Sequence, residues 1–123
     1  MQNDKEKFKK EFIQRLIHHS IRAVKFSDEL RIERISSRIL DQFVGAITSI
    51  GANVVEAKSS HSTKDYIKFF EIALKSANET KYWIIIIKEL TKNNQKEAEE
   101  ILKETIEIAK ILASSIITLK GKR

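Results

Sequence analysis

The 123-residue chain contains no cysteine and no proline, and only three glycines, Gly45, Gly51 and Gly121. Without cysteine, disulfides and thiolate-based metal or redox chemistry are excluded, and a reducing compartment is acceptable. Strands and hairpins need the punctuation that proline and glycine supply, so a chain this poor in both is permissive to helix almost throughout. Long apolar runs are missing as well. The longest, Tyr82 to Ile87, is far too short to cross a bilayer, and Met1 to Glu6 lack the apolar stretch of a secretion signal. These absences point to a cytoplasmic protein without a membrane partner.

What is present suits a single globular domain over residues 1–123. The composition is 41% hydrophobic and 33% charged, enough apolar material for a core without disulfide or metal staples. The formal net charge is +6, which favours acidic partners such as nucleic acid. The excess is spread along the chain and is not gathered into a tail.

Four stretches carry helical periodicity. In the first, Phe8, Phe12, Leu16 and Ala23 recur beside Ile13, Ile17, Ile21 and Val24. Ser27-Asp28 offers side-chain oxygens to the start of a second helix, expected over about Glu29 to Lys58 with the stripe Ile32, Ile35, Ile39, Phe43, Ile47, Ile50, Val54 and Ala57. Ser59-Ser60-His61-Ser62 breaks it, and Ser62 with Asp65 resembles a capping box. The third helix carries Tyr66, Phe70, Ala73, Ala77, Thr80, Ile84 and Ile87. After a turn at Asn93-Asn94, the fourth carries Ala98, Ile101, Thr105, Ile108, Leu112 and Ile116, and Gly121 ends it. Helices of this length joined by short polar turns pack as an antiparallel up-down four-helix bundle. Helices two and three are apolar on more than one side, which predicts a subunit interface.

The segment Thr48-Ser49-Ile50-Gly51-Ala52-Asn53-Val54-Val55-Glu56-Ala57 resembles the signature of the four-helix proteins associated with intervening sequences in bacterial large-subunit ribosomal RNA genes. Lys64-Asp65-Tyr66-Ile67, Ile72-Ala73-Leu74-Lys75 and Glu79-Thr80-Lys81-Tyr82-Trp83 continue the likeness in the same order, over roughly residues 40–90. The resemblance implies an up-down bundle assembled as a ring-like homopentamer. It also implies kinship with the accessory protein of diversity-generating retroelements, which partners a reverse transcriptase and binds nucleic acid. Asn78 departs from the pattern, because an arginine usually precedes the Glu-Thr pair, and so does Ser59-Ser60.

Gly45, Ser49 and Ala52 form a small-residue stripe that lets another helix approach closely. Asn53 falls on the apolar stripe and needs hydrogen-bond partners. Glu56, Glu79 and Tyr82 are the expected members of a structural polar cluster around it. No Glu-x-x-His pair, phosphate loop or acid–base constellation is present, so no catalytic residue, metal or cofactor is expected. The basic residues supply the remaining candidates. Lys64, Lys68 and Lys75 fall within about 40° of one another on helix three, Lys81 lies on a second line, and Arg15 aligns with Arg22 on helix one. Such spacing neutralises phosphates without reading sequence. The expected function is therefore a non-enzymatic homo-oligomeric scaffold that binds structured RNA or a ribonucleoprotein through basic helix faces. The alternative is a protein–protein adaptor that docks an enzyme such as a reverse transcriptase without touching nucleic acid.

Overall fold

The computed structural model describes residues 3–121, which form four α-helices and, among the described residues, no strand. They are α1 (Asp4–Ile32), α2 (Ser37–Lys58), α3 (Thr63–Leu90) and α4 (Gln95–Lys120). Polar caps set the starts of α1 and α3: Asn3 Oδ1 accepts the Glu6 N–H at 2.8 Å, and Ser62 Oγ accepts the Asp65 N–H at 3.1 Å. Short turns force consecutive helices to run antiparallel, and residue pairs across the seams agree. Phe26 meets Phe43, and a Cβ on Gly51 would lie 3.4 Å from Leu16 Cβ. Ser76 meets Ser49, Glu71 meets Lys120 while Lys88 meets Glu99, and Arg15 meets Glu104 while Arg22 meets Glu97. Within each of the three seams that show two pairs, as one number rises its partner falls.

The first break lies further along the chain than Ser27-Asp28, so the expected helix start near Glu29 is corrected. The α1 stripe continues unbroken through Ala23, Phe26 and Leu30, all buried, and Ser27 turns its side chain inward instead of capping. The helix ends at Ile32 in a Schellman geometry. Ile35 N–H returns to the Leu30 carbonyl at 3.2 Å and Arg34 N–H to the Arg31 carbonyl at 3.0 Å. Arg34 occupies the left-handed position, with φ of 64°, where glycine is usual. Ile32, counted in the stripe of helix two, is instead the last residue of α1 and is 77% exposed.

One continuous core fills the bundle. Phe43, Leu16, Leu40, Ile47, Ile50, Ile84 and Leu112 are among its fully buried members. Truncating one of these to alanine costs roughly 2–5 kcal/mol, because the close-packed neighbours only partly collapse into the void. The α1–α4 seam differs from the other three. Its contacts are sparse, and polar pairs take the place of interlocked apolar ridges.

The turn between α1 and α2 is tied to the turn between α3 and α4 through one side chain. Thr91 Oγ1 and Asn94 Nδ2 donate to one carboxylate oxygen of Glu33, and the Lys92 N–H donates to the other at 2.9 Å. The Thr91 hydroxyl, lending its hydrogen to Glu33, accepts the Asn94 N–H at 3.0 Å. These donors hold the Glu33 carboxyl well below the usual carboxylate range, the Thr91 bond first among them.

Candidate nucleic-acid interface

The basic residues singled out in the sequence divide into two groups. Arg15 and Arg22 sit two turns apart on α1, and each closes a two-pronged ion pair with α4. Arg15 donates both prongs to Glu104 at 2.6 Å, and Arg22 donates both to Glu97 at 2.7 Å. The arginine hydrogen bonds lower the pKa of each glutamate and raise that of each arginine. A guanidinium engaged this way has spent the fork that would grip a phosphate. The structure thus places Arg15 and Arg22 along the α1–α4 seam, each paired with a glutamate of α4.

The α3 lysines behave differently. Lys64, Lys68 and Lys75 are all exposed and share one outward line of the helix. Among the described residues, none of the three has a carboxylate within 4.0 Å. Lys81 is half-buried. It lies two turns before Lys88, which pairs with Glu99, so Lys81 belongs to the line that faces α4 and is set apart from the other three. Lys75, Glu79 and Tyr82 line one shallow groove with Gln42 of α2 and Trp83.

The polar cluster on α2 has different members from those expected. Asn53 Nδ2 donates to the Ser49 carbonyl at 2.8 Å and to Ser49 Oγ at 3.1 Å, and Ser76 of α3 donates to the same Oγ at 3.1 Å. Glu56, Glu79 and Tyr82 stand exposed, with Tyr82 edge-on to Trp83. Ser49, expected as a spacer for close approach, is the hub of the network. Gly45 and Ala52, the other members of that stripe, face open surface.

A further polar contact lies in the α1–α4 seam. His19 is buried on the core stripe of α1, three residues after Leu16 and four before Ala23, and its Nε2 lies 2.9 Å from Thr105 Oγ1. The Thr105 hydroxyl gives its hydrogen to the Ile101 carbonyl at 2.8 Å, so it accepts from the histidine. The ring is therefore the Nε2–H tautomer, with Nδ1 buried and, among the described residues, without a partner. Its position on the stripe was legible, but its cross-helix partner Thr105 was not.

Antiparallel α-helices around one core define the class: an all-α four-helix bundle. The chain belongs to the 23S rRNA-intervening sequence protein family, whose model matches residues 8–114. It is also similar to a crystal structure of a protein of unknown function from the S23 ribosomal protein family of Bacteroides thetaiotaomicron VPI-5482. The two share 32% identity at a TM-score of 0.80, over 85% of this chain and 97% of the other. No curated protein matches the chain. Among the described residues, no helix is long and apolar enough to cross a membrane.

Proposed function

We propose that the protein is a non-enzymatic, self-associating scaffold that holds structured RNA by its phosphates through Lys64, Lys68 and Lys75. The observation that carries this reading is the contrast between the two basic groups. The arginines are engaged in bidentate, partly exposed pairs along the α1–α4 seam, whereas the three lysines stand on one exposed line without carboxylate partners among the described residues. Membership of a family described by ribosomal RNA intervening sequences agrees with an RNA partner. Self-association would repeat the lysine line, and weak contacts then add by avidity.

The surface for self-association is the α1–α2 face. Ile17, Ile21 and Val24 form one exposed line on α1, roughly opposite the side that carries Arg15 and Arg22. Val55 is exposed on the flank of α2 that meets α1, and Gly45 and Ala52 open the adjoining surface to close approach. Light scattering of the purified chain, with Ile21→Glu as the disrupting variant, measures this directly. A wild-type monomer at all concentrations removes the avidity argument.

RNA binding is tested by fluorescence anisotropy of a labelled RNA hairpin across a salt series. Each phosphate neutralised contributes about −0.7 to −0.9 to the slope of log K against log salt, so Lys64→Gln, Lys68→Gln and Lys75→Gln together flatten it by at least roughly 2. Salt-independent affinity, or a triple variant that binds like wild type, refutes the phosphate contacts. Specific capture of one protein from RNase-treated lysate, with no RNA binding, favours the adaptor.

A further inference from the structure

At the end of the bundle where α1 and α3 begin and α2 and α4 end, the helices part around a cavity of about 580 Å³. Its walls are aromatic. Phe8 and Phe12 of α1 stack with centroids 6.0 Å apart and planes 13° from parallel. Tyr66 and Phe70 of α3 stack at 4.8 Å and 22°. Because α1 and α3 are diagonal partners in the bundle, the two ring pairs come from opposite sides of the space. Phe8 is 51% exposed, an apolar surface that the bundle itself does not cover.

The rim carries charge of one sign. Lys5 and Lys9 come from α1, Lys58 from the last turn of α2, and His61 from the following turn, while no carboxylate lines the cavity among the described residues. Lys9 Nζ stands 5.0 Å from the centroid of the Tyr66 ring, at a distance where a cation and an aromatic face attract. Ser62 and Thr63 at the mouth belong to the start of α3, whose cap hydroxyl takes only the Asp65 N–H. First-turn amides beside Lys58 add positive potential there. Ser114, Ser115 and Thr118 of α4 supply hydroxyls that can donate or accept.

We infer that this cavity is a binding site for a planar aromatic ring that carries a phosphate, namely a nucleoside phosphate, free or at the end of an RNA chain. Phe8 and Tyr66, the accessible ring of each pair, offer aromatic surface to a base, the hydroxyls can meet its polar edge, and the lysines with the α3 amides meet the phosphate. A volume near 580 Å³ falls within the range of ordinary small-ligand sites. The site is separate from the outer line of Lys64, Lys68 and Lys75, so either can fail without the other.

Isothermal titration of the full chain with AMP, GMP and UMP tests the assignment, with adenosine, ribose 5-phosphate and decanoate as comparison ligands. Saturable binding of at least one nucleotide is expected, and adenosine and ribose 5-phosphate should each bind about tenfold or more weakly, having lost one of the two anchors. Phe8→Ala, Lys9→Gln and Lys58→Gln change exposed or rim side chains, and circular dichroism checks that each still folds. Phe8→Ala should weaken the nucleotide at least about fivefold through lost stacking. A short 5′-phosphorylated RNA that outcompetes the mononucleotide identifies a chain end as the ligand, and weaker competition identifies the free nucleotide. No saturable nucleotide binding, a preference for decanoate, or variants that bind like wild type would each overturn the assignment.

Discussion

Acid should destabilise the bundle progressively below neutral pH through His19. The ring is buried between α1 and α4, with its Nε2–H committed to Thr105 and its Nδ1 without a partner among the described residues. Burial is the main reason its pKa falls from 6.5 to about 4; Arg22, Arg15 and His18 also lower it, and Glu104 opposes them. The sign follows from proton uptake. Between pH 6.5 and about 4 the unfolded chain binds a proton on this histidine that the folded chain refuses, so stability falls as pH falls across that window. At 1.36 kcal/mol for each tenfold change, the full loss is about 3 kcal/mol, a large share of the roughly 5–15 kcal/mol that holds a domain together.

Most of that loss comes before the seam carboxylates contribute. Glu97 and Glu104 have folded pKa values below the ordinary 4.5, so their own destabilising protonation starts near that value and proceeds to lower pH. Urea titrations followed by circular dichroism at about pH 7, 6, 5 and 4.5, at fixed protein concentration, isolate the histidine. His19→Gln keeps an N–H for Thr105 and cannot titrate, so its stability should be nearly flat over the window while wild type loses about 2–3 kcal/mol. A wild-type stability that does not change between pH 7 and 5 refutes the reasoning, as does a glutamine variant that falls as steeply.

Three further outcomes follow from local geometry. Arg34→Gly should stabilise the chain by about 1 kcal/mol in thermal denaturation, because glycine adopts the left-handed backbone there without a Cβ clash. Ser27→Ala should also stabilise, by about 1 kcal/mol, since the Ser27 hydroxyl is buried without a hydrogen-bond partner among the described residues; an unchanged or lower Tm shows that the hydroxyl is satisfied. A double-mutant cycle on Arg22→Gln and Glu97→Gln should return a coupling of about 1 kcal/mol or less despite the good geometry, because about a third of each side chain still meets solvent.

The helical class, the stripes of α3 and α4, the Ser62 cap and the basic line on α3 were all readable from local patterns, because each depends on residues within a few turns of one another. What escaped depends on contacts distant in sequence. Arg15 and Arg22 read as a basic line because Glu104 and Glu97, their partners, lie far along the chain. The first turn was misplaced because its true signal is weak: Arg34 holds the position where glycine would announce a helix end, and Ser27-Asp28 imitates a cap inside a continuing helix. Asn53 stands out in the sequence as a polar residue needing partners, yet its partner is one turn back on its own helix, a local bond that cross-helix carboxylates do not signal.

The Glu33 clasp makes the two ends of the bundle mechanically unequal. It ties the first helical hairpin to the second at one end, while the opposite end of α1 borders the open cavity. Partial opening should therefore begin at the Phe8 end of α1, with Glu33 as the pivot, and native-state hydrogen exchange should show amides near residue 10 exchanging well before those near residue 28. Uniform exchange along α1 would mean that the helix detaches as a whole. If the hinge holds, α1 is the one helix that can swing outward to widen the space beside it while the remaining three stay packed.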